Sequence, residues 1–377
     1  MLLRTNRSPK VVIVGAGPAG SACALELRRL GSTEVVVVDR ATYPRRKVCG
    51  SGLSPLALKQ LRQLGVLDDF RDVYVDMTGL RAVGPSGLEV VLKGSKGAWV
   101  VPRSELDHRL IMSAVEQGAE LREGTRVTGV LQSPDGEIRG VETQDGSIEA
   151  DVVVIANGSP SNFEVDASPR DGIRTIMGWW KGRLPQNVGA MIWDARLGGY
   201  YAWAFPEPDD VVNIGITIPD SYERSSRLRE LFSEILDDHF REIVSGGEQV
   251  GRWMGHPATV TTRVGKVASS RQIFVGEAAR LVCPATVEGI SFALESGRIA
   301  AQTIERSLDP DRGLSRAAQH RYRLELGARM LPTFIAGESF YRIMRSHRAR
   351  STLMRIVDPR MLASGLSHFV GASSSAH

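Results

Sequence analysis

Gly15-Ala16-Gly17-Pro18-Ala19-Gly20 follows the apolar run 11–14 (VVIV) and opens a helical pattern that reaches about Leu30. Glycines at that spacing suit a diphosphate. Gly15 and Gly17 permit a tight turn and let the backbone approach a pyrophosphate, while Gly20 lets helix and strand pack together. The helix start at Pro18-Ala19 adds positive potential and, from Ala19 onward, free N–H donors. A second apolar run, Val35 to Val38, ends at Asp39-Arg40, with Asp39 lying 19 residues beyond Gly20. A carboxylate there can hydrogen-bond both hydroxyls of a ribose. Strand, turn, helix and strand form a βαβ unit with a parallel sheet, and the motif predicts a bound dinucleotide.

A second strand-to-helix turn narrows the choice. The strand 272–275 runs into Gly276-Glu277-Ala278-Ala279-Arg280, then Pro284, Gly289 and a long helix to about Arg306. An acid at such a turn can hold the ribityl hydroxyls of a flavin, and the helix can aim its positive end at the N1/O2 edge. That points to FAD rather than NAD. Together with Arg103 in Pro-Arg-Ser-Glu-Leu-Asp and Asn157-Gly158, these residues resemble the para-hydroxybenzoate-hydroxylase-like FAD enzymes across about the first 300 residues. Two further stretches are similar to the geranylgeranyl reductase family: 43–55, which contains Lys47-Val48-Cys49-Gly50, and Tyr201-Ala-Trp203-Ala-Phe205-Pro206. Ser296-Gly297 matches the same family. Glu277 stands where that pattern usually has Asp, Val287 where it has Gly, and Asn157 where it often has Asp.

The resemblance implies that Gly15, Gly17, Pro18, Ala19, Gly20, Asp39, Arg40, Arg103, Gly276, Glu277 and Gly289 hold FAD. It also implies hydride transfer to carbon–carbon double bonds of an isoprenoid or other long hydrophobic substrate, free or bound to a carrier or phosphate. The resemblance leaves the electron donor open between NADPH and a ferredoxin-like protein. A flavin-dependent halogenase or monooxygenase is the rival on the same scaffold, with Lys47 as its active-site lysine. A non-catalytic flavin-binding protein is a third reading.

Alternation puts Tyr201, Trp203 and Phe205 on one face of a strand, where they either wall a substrate cavity or pack under the sheet. Cys49, preceded by Arg45, Arg46 and Lys47, is either a reactive thiol near cations or a small buried hydrophobe. Cys23 and Cys283 read as packing. Glu288, beside the second turn, either acts as an acid or is an ordinary helix-start carboxylate. The seven histidines show no ligand spacing, so no metal site is expected.

The fold expected to position these groups is α/β. A discontinuous Rossmann-type FAD-binding domain (1–160 and 265–310) encloses an antiparallel β-rich substrate domain (161–264), and a helical segment (311–377) follows. Ser104 to Asp107 reads as a capping box, 227–244 as one helix, and Asp135-Gly136 and Asp145-Gly146 as hairpin turns. With 377 residues, 42% hydrophobic and 24% charged, the chain has an ordinary globular composition. No apolar run approaches the ~18 residues of a membrane span, and a soluble, cytoplasmic protein is expected. Between Arg312 and Arg360 stand eleven Arg, no Lys and three acids. Such a segment suits either solvated helix faces or peripheral contact with an anionic membrane. No nucleic-acid-binding signature accompanies it.

Overall fold

The computed structural model describes residues 8–31, 33–85, 87, 89–93, 98–163, 171–221, 226–260 and 263–346. Its centre is a five-stranded sheet in the order Gln272–Phe274, Val152–Ile155, Lys10–Val14, Glu34–Val38, Glu120–Arg122. Every neighbouring pair is parallel. These strands are valine-rich runs because helices and a second sheet bury both faces, leaving no polar alternation to read.

The helices are α1 (Pro18–Leu30), α2 (Pro55–Leu64), α3 (Arg103–Glu116), α4 (Leu228–His239), α5 (Arg241–Gly246), α6 (Ile290–Ser307) and α7 (Arg316–Arg345). Helices α1 and α6 pack closely on the parallel sheet. A Cβ at Gly297 would lie 2.3 Å from the Ala19 carbonyl oxygen, so only glycine permits that approach. The strands 127–132, 138–143 and 146–149 form an antiparallel sheet whose turns contain Gly136 and Gly146, both at positive φ. Both hairpin expectations are met.

A seven-stranded sheet forms the second layer, in the order Met254–Val260, Asp171–Lys181, Val211–Pro219, Ala202–Glu207, Val188–Ile192, Gly79–Val83, Glu89–Lys93. One face packs on α4 through Leu231, Phe232 and Ile235 against Ala202, Ala204, Ile214 and Ile216. The opposite face presents Met177, Trp179, Met191, Tyr201 and Trp203.

Three expectations need correction. Strands Gly79–Val83 and Glu89–Lys93, expected in the FAD-binding domain, complete the seven-stranded sheet, the first pairing parallel with Val188–Ile192. No local pattern can show that, because the partner lies about a hundred residues away. The capping box does not form. Pro102 caps α3 without a side-chain bond, and Asp107 turns inward to two arginines. The helix read over 227–244 is two helices broken at Phe240.

Helix α7 buries Tyr322, Leu326, Met330 and Phe334, one residue per turn, against the main core. The Tyr322 hydroxyl donates to the Phe274 carbonyl at 2.7 Å, which ties the helix to the parallel sheet. Much of the arginine excess is already engaged. Arg329 pairs with Glu295 and Glu325, Arg342 with Glu338, and Arg323 donates to the Val264 carbonyl. Arg348, Arg350, Arg355 and Arg360 lie outside the described residues. No described helix is long and apolar enough to cross a membrane.

Candidate functional site

The two strand-to-helix turns meet at one cavity of about 820 Å³ between the sheets. Gly15, Gly17, Pro18, Ala19, Asp39 and Arg40 line one end. Arg103, Glu277 and Gly289 line its middle, with Lys47 and Cys49 nearby. Gly20 and Gly276 lie behind the wall and act through packing. A Cβ on Gly20 would meet the Gly15 carbonyl oxygen at 1.9 Å, and one on Gly276 would meet the Ala19 Cβ at 2.8 Å. Gly15 adopts φ 106 with its own Cβ position 2.5 Å from the Ala156 carbonyl oxygen, so the turn requires glycine.

Asp39 is largely committed to the protein. Its Oδ2 accepts from the Ala16 N–H at 2.8 Å and the Tyr43 hydroxyl at 3.0 Å, and its Oδ1 accepts from the Ala41 N–H at 2.8 Å. A carboxylate offers about four lone-pair sites. One remains, on Oδ1, so a ribose can make a single bond here rather than the two expected from the sequence.

These residues suit FAD. A Cβ at Gly17 would touch only the Arg45 guanidinium, at 3.8 Å, which leaves its backbone open toward a ligand. Glu277 Oε1 is buried without a hydrogen-bond partner, as expected of a group that holds ligand hydroxyls. Burial pushes the Glu277 carboxyl up, against the pull of Lys47 and Arg103. Arg103 and Arg45 share the fully buried Asp107, with contacts of 2.8 and 3.0 Å. Two guanidiniums on one carboxylate leave positive charge for an anionic cofactor.

Lys47 Nζ lies 2.8 Å from His256 Nε2, a pairing across 209 residues that no sequence signal announces. Burial, with Arg103 and Arg45 adding to it, lowers the Lys47 amine to about 8, although Glu277 opposes the shift. Burial and the neighbouring Lys47 hold His256 near 4, so its ring is neutral at physiological pH. Cys49 is half-buried in the wall. Its thiol accepts from the Ser51 N–H at 3.4 Å, and the Arg103 guanidinium lies within hydrogen-bond reach.

Opposite the cofactor cradle stand Tyr201, Trp203 and Phe205 with Met191. Trp203 is only 5% exposed, yet its ring belongs to the cavity wall. The two readings of this strand are compatible: its aromatic face is core and cavity lining together. The ring packs against Gly215, where a Cβ would lie 2.3 Å from it, and its Nε1 donates to Asn213 Oδ1 at 2.9 Å. Asn213, fully buried, donates from Nδ2 to the Cys49 carbonyl and to Glu207 Oε1, both at 2.9 Å. That side chain bolts the Cys49–Gly50 loop to the aromatic strand.

The second turn carries strain and a further acid. Val287 sits at φ 55, the left-handed region where a β-branched residue is an outlier. The Tyr201 hydroxyl donates to the Thr286 carbonyl. Ser54 Oγ donates to Glu288 Oε1 at 2.6 Å, and burial raises that carboxyl. Cys283 is buried beside this loop, and Cys23 is buried in α1. Sequence reasoning reads Asp107 as a cap and gives Asn213 and His256 no role, because Arg45, Cys49 and Lys47, which they respectively meet, lie far away along the chain. Among the described residues no cluster could hold a metal ion.

Residues 8–191 match the family model described as FAD binding domain. The menaquinone reductase of Mycolicibacterium smegmatis is 32% identical over 323 residues, covering 79% of this chain and 76% of that protein. The digeranylgeranylglycerophospholipid reductase of Methanoculleus marisnigri is 27% identical over 324 residues, covering 79% and 77%. Among solved structures, a geranylgeranyl bacteriochlorophyll reductase-like protein from Thermoplasma acidophilum superposes with a TM-score of 0.80 at 20% identity. That match covers 95% of this chain and 90% of the other, and shows the fold.

Proposed function

Since the chain belongs to the geranylgeranyl reductase family of FAD-dependent oxidoreductases, we propose that it saturates carbon–carbon double bonds in a long isoprenoid-type chain. The observation that carries this reading is the aromatic wall. Tyr201, Trp203 and Phe205 line the same cavity as Gly17, Asp39, Arg103 and Glu277. Flat apolar rings can hold an unbranched or methyl-branched chain without hydrogen-bond partners. One relative is named as reducing a digeranylgeranyl lipid and another as reducing menaquinone, which supports a hydrophobic substrate of this class.

When bound and reduced, FAD supplies hydride. The chain's own residues do the rest. Asp39 and the α1 N-terminus would anchor the dinucleotide, Arg45 and Arg103 would balance its charge, and the unpaired Glu277 Oε1 would accept from ribityl hydroxyls. Asn213 holds Trp203 and the Cys49 carbonyl in fixed relation, so the wall cannot swing away from the cradle. The buried aromatic side excludes water, which protects reduced flavin from side reactions. Lys47, engaged with His256 and facing Glu277, belongs with the charged groups around the cofactor.

The test is reduction of menaquinone-4 and of geranylgeranyl diphosphate by the dithionite-reduced holoprotein, read by mass spectrometry. A gain of one H2 per saturated chain bond, counted after the quinone ring is reoxidised, is expected, independent of chloride and oxygen. Product carrying an added halogen or oxygen atom, with no saturated chain, would overturn the reading in favour of a halogenase or monooxygenase.

A further inference from the structure

We propose that Glu288 is the acid that gives the substrate its proton in this cavity, resupplied through the Ser54 hydroxyl. The assignment rests on the reductase reading and deepens it. Saturating an alkene forms two C–H bonds at the expense of one π bond. Hydride from the reduced flavin forms the first, and the neighbouring carbon takes a proton. An isoprenoid double bond has no carbonyl to hold a carbanion, so hydride cannot add unaided and the proton donor must stand beside the chain.

Three carboxyls line the cavity: Asp39, Glu277 and Glu288. Asp39 is occupied by two backbone N–H groups and the Tyr43 hydroxyl, at the dinucleotide end. Glu277 faces the cations Lys47 and Arg103. Glu288 differs from both. It stands between Val287 and Gly289 at the start of α6, in the loop that receives the Tyr201 hydroxyl at Thr286. That contact places it at the aromatic side. Among the described residues it pairs with no cation, and the Ser54 hydroxyl donates to its carboxyl at 2.6 Å. With burial outweighing hydroxyl bonding and no positive charge beside it, the carboxyl is raised above its ordinary value, the direction an acid needs.

The alternatives in the wall are weaker donors. The Tyr201 hydroxyl already donates to a carbonyl, and burial pushes its phenol far above the ordinary value. Lys47 directs its ammonium at His256. In the step assigned to Glu288, its O–H bond breaks as the second C–H bond forms, and a carboxylate remains. Ser54, half-buried at the cap of α2, then passes a solvent proton to it.

Glu288→Gln keeps the shape and the contact to Ser54 but has no acidic proton. In the holoenzyme, reduced with dithionite and given menaquinone-4 or geranylgeranyl diphosphate, this variant should lose at least ~100-fold of the saturated product. FAD affinity, titrated separately, should change by less than about threefold, well under 1 kcal/mol. Glu288→Asp, which keeps an acid one methylene shorter, should recover part of the turnover. A substrate-free measurement stands beside these. The infrared difference between wild-type and Glu288→Gln holoenzyme near neutral pH should contain a protonated-carboxyl carbonyl stretch that shifts in D2O. Unimpaired turnover by Glu288→Gln, or no such band, overturns the proposal. If wild type reduces neither probe although the band is present, the reductase reading itself falls, and with it the destination of this proton.

Discussion

Replacing Asp39 with Ala tests the cradle most directly, because the structure separates two effects that the sequence merges. The carboxylate holds the fully buried Ala16 N–H within the glycine turn, and it holds the Ala41 N–H and the Tyr43 hydroxyl at the half-buried rim. Losing the partner of a buried N–H costs about 1–3 kcal/mol, so the apoprotein should lose about that much stability. The rim donors can turn to water and add little. One lone pair remains for the ribose, and one charge-assisted bond is worth about 1.5–3 kcal/mol, or roughly ten- to 150-fold in FAD affinity. Asn does not rescue, since its NH2 must point at either the Ala16 or the Ala41 N–H. Titration of apoprotein with FAD by flavin fluorescence, alongside thermal unfolding of the apoprotein, reads both quantities. Stability lost with FAD affinity intact would make Asp39 a brace for the turn and nothing more; both unchanged would refute the geometry.

Trp203→Phe keeps a ring on Gly215 but removes the donor to Asn213, which should cost about 1–3 kcal/mol of stability, leave FAD bound and slow turnover of the apolar chain. Trp203→Ala should cost about 3–5 kcal/mol and approach the whole stability of an ordinary domain, so a folded, fully active Ala variant would show that the ring is not part of the wall. At Val287, strain at φ 55 reverses the usual order of small residues: Val287→Gly should melt above Val287→Ala, although Gly normally trails Ala by about 0.5–1 kcal/mol. Val287→Ala melting higher would remove strain from the account. His256 should make apoprotein stability fall on acidification. Below the ordinary 6.5 the unfolded chain takes a proton that the native ring refuses until about 4, and His256→Gln should flatten that part of a stability–pH curve. Lys47 acts in the same direction at higher pH: its burial burden is full below about 8 and eases toward 10.5, so any advantage of Lys47→Met in denaturant unfolding should shrink over that range.

The parts of this protein legible in the chain alone are those whose physics is local. The glycine turn, the valine runs of the parallel sheet and the strand-end Asp39 are readable because a turn, a buried strand and a helix start each impose residue types within a few positions. Alternation likewise puts Tyr201, Trp203 and Phe205 on one face, since a strand turns successive side chains to opposite sides wherever it packs. Reading by residue type fails where a distant group competes better than a local one. Asp107 fits a capping box by spacing, yet it turns inward because two buried guanidiniums gain more from it than an exposed N–H does. Strands Gly79–Val83 and Glu89–Lys93 carry no mark of the sheet they join, since edge pairing is decided by whichever strand tertiary packing leaves open. Asn213, His256 and the Ser54–Glu288 contact have the same cause. A single polar residue has no periodicity, and only when the two sheets close on the cavity do burial and partner together give it a defined environment.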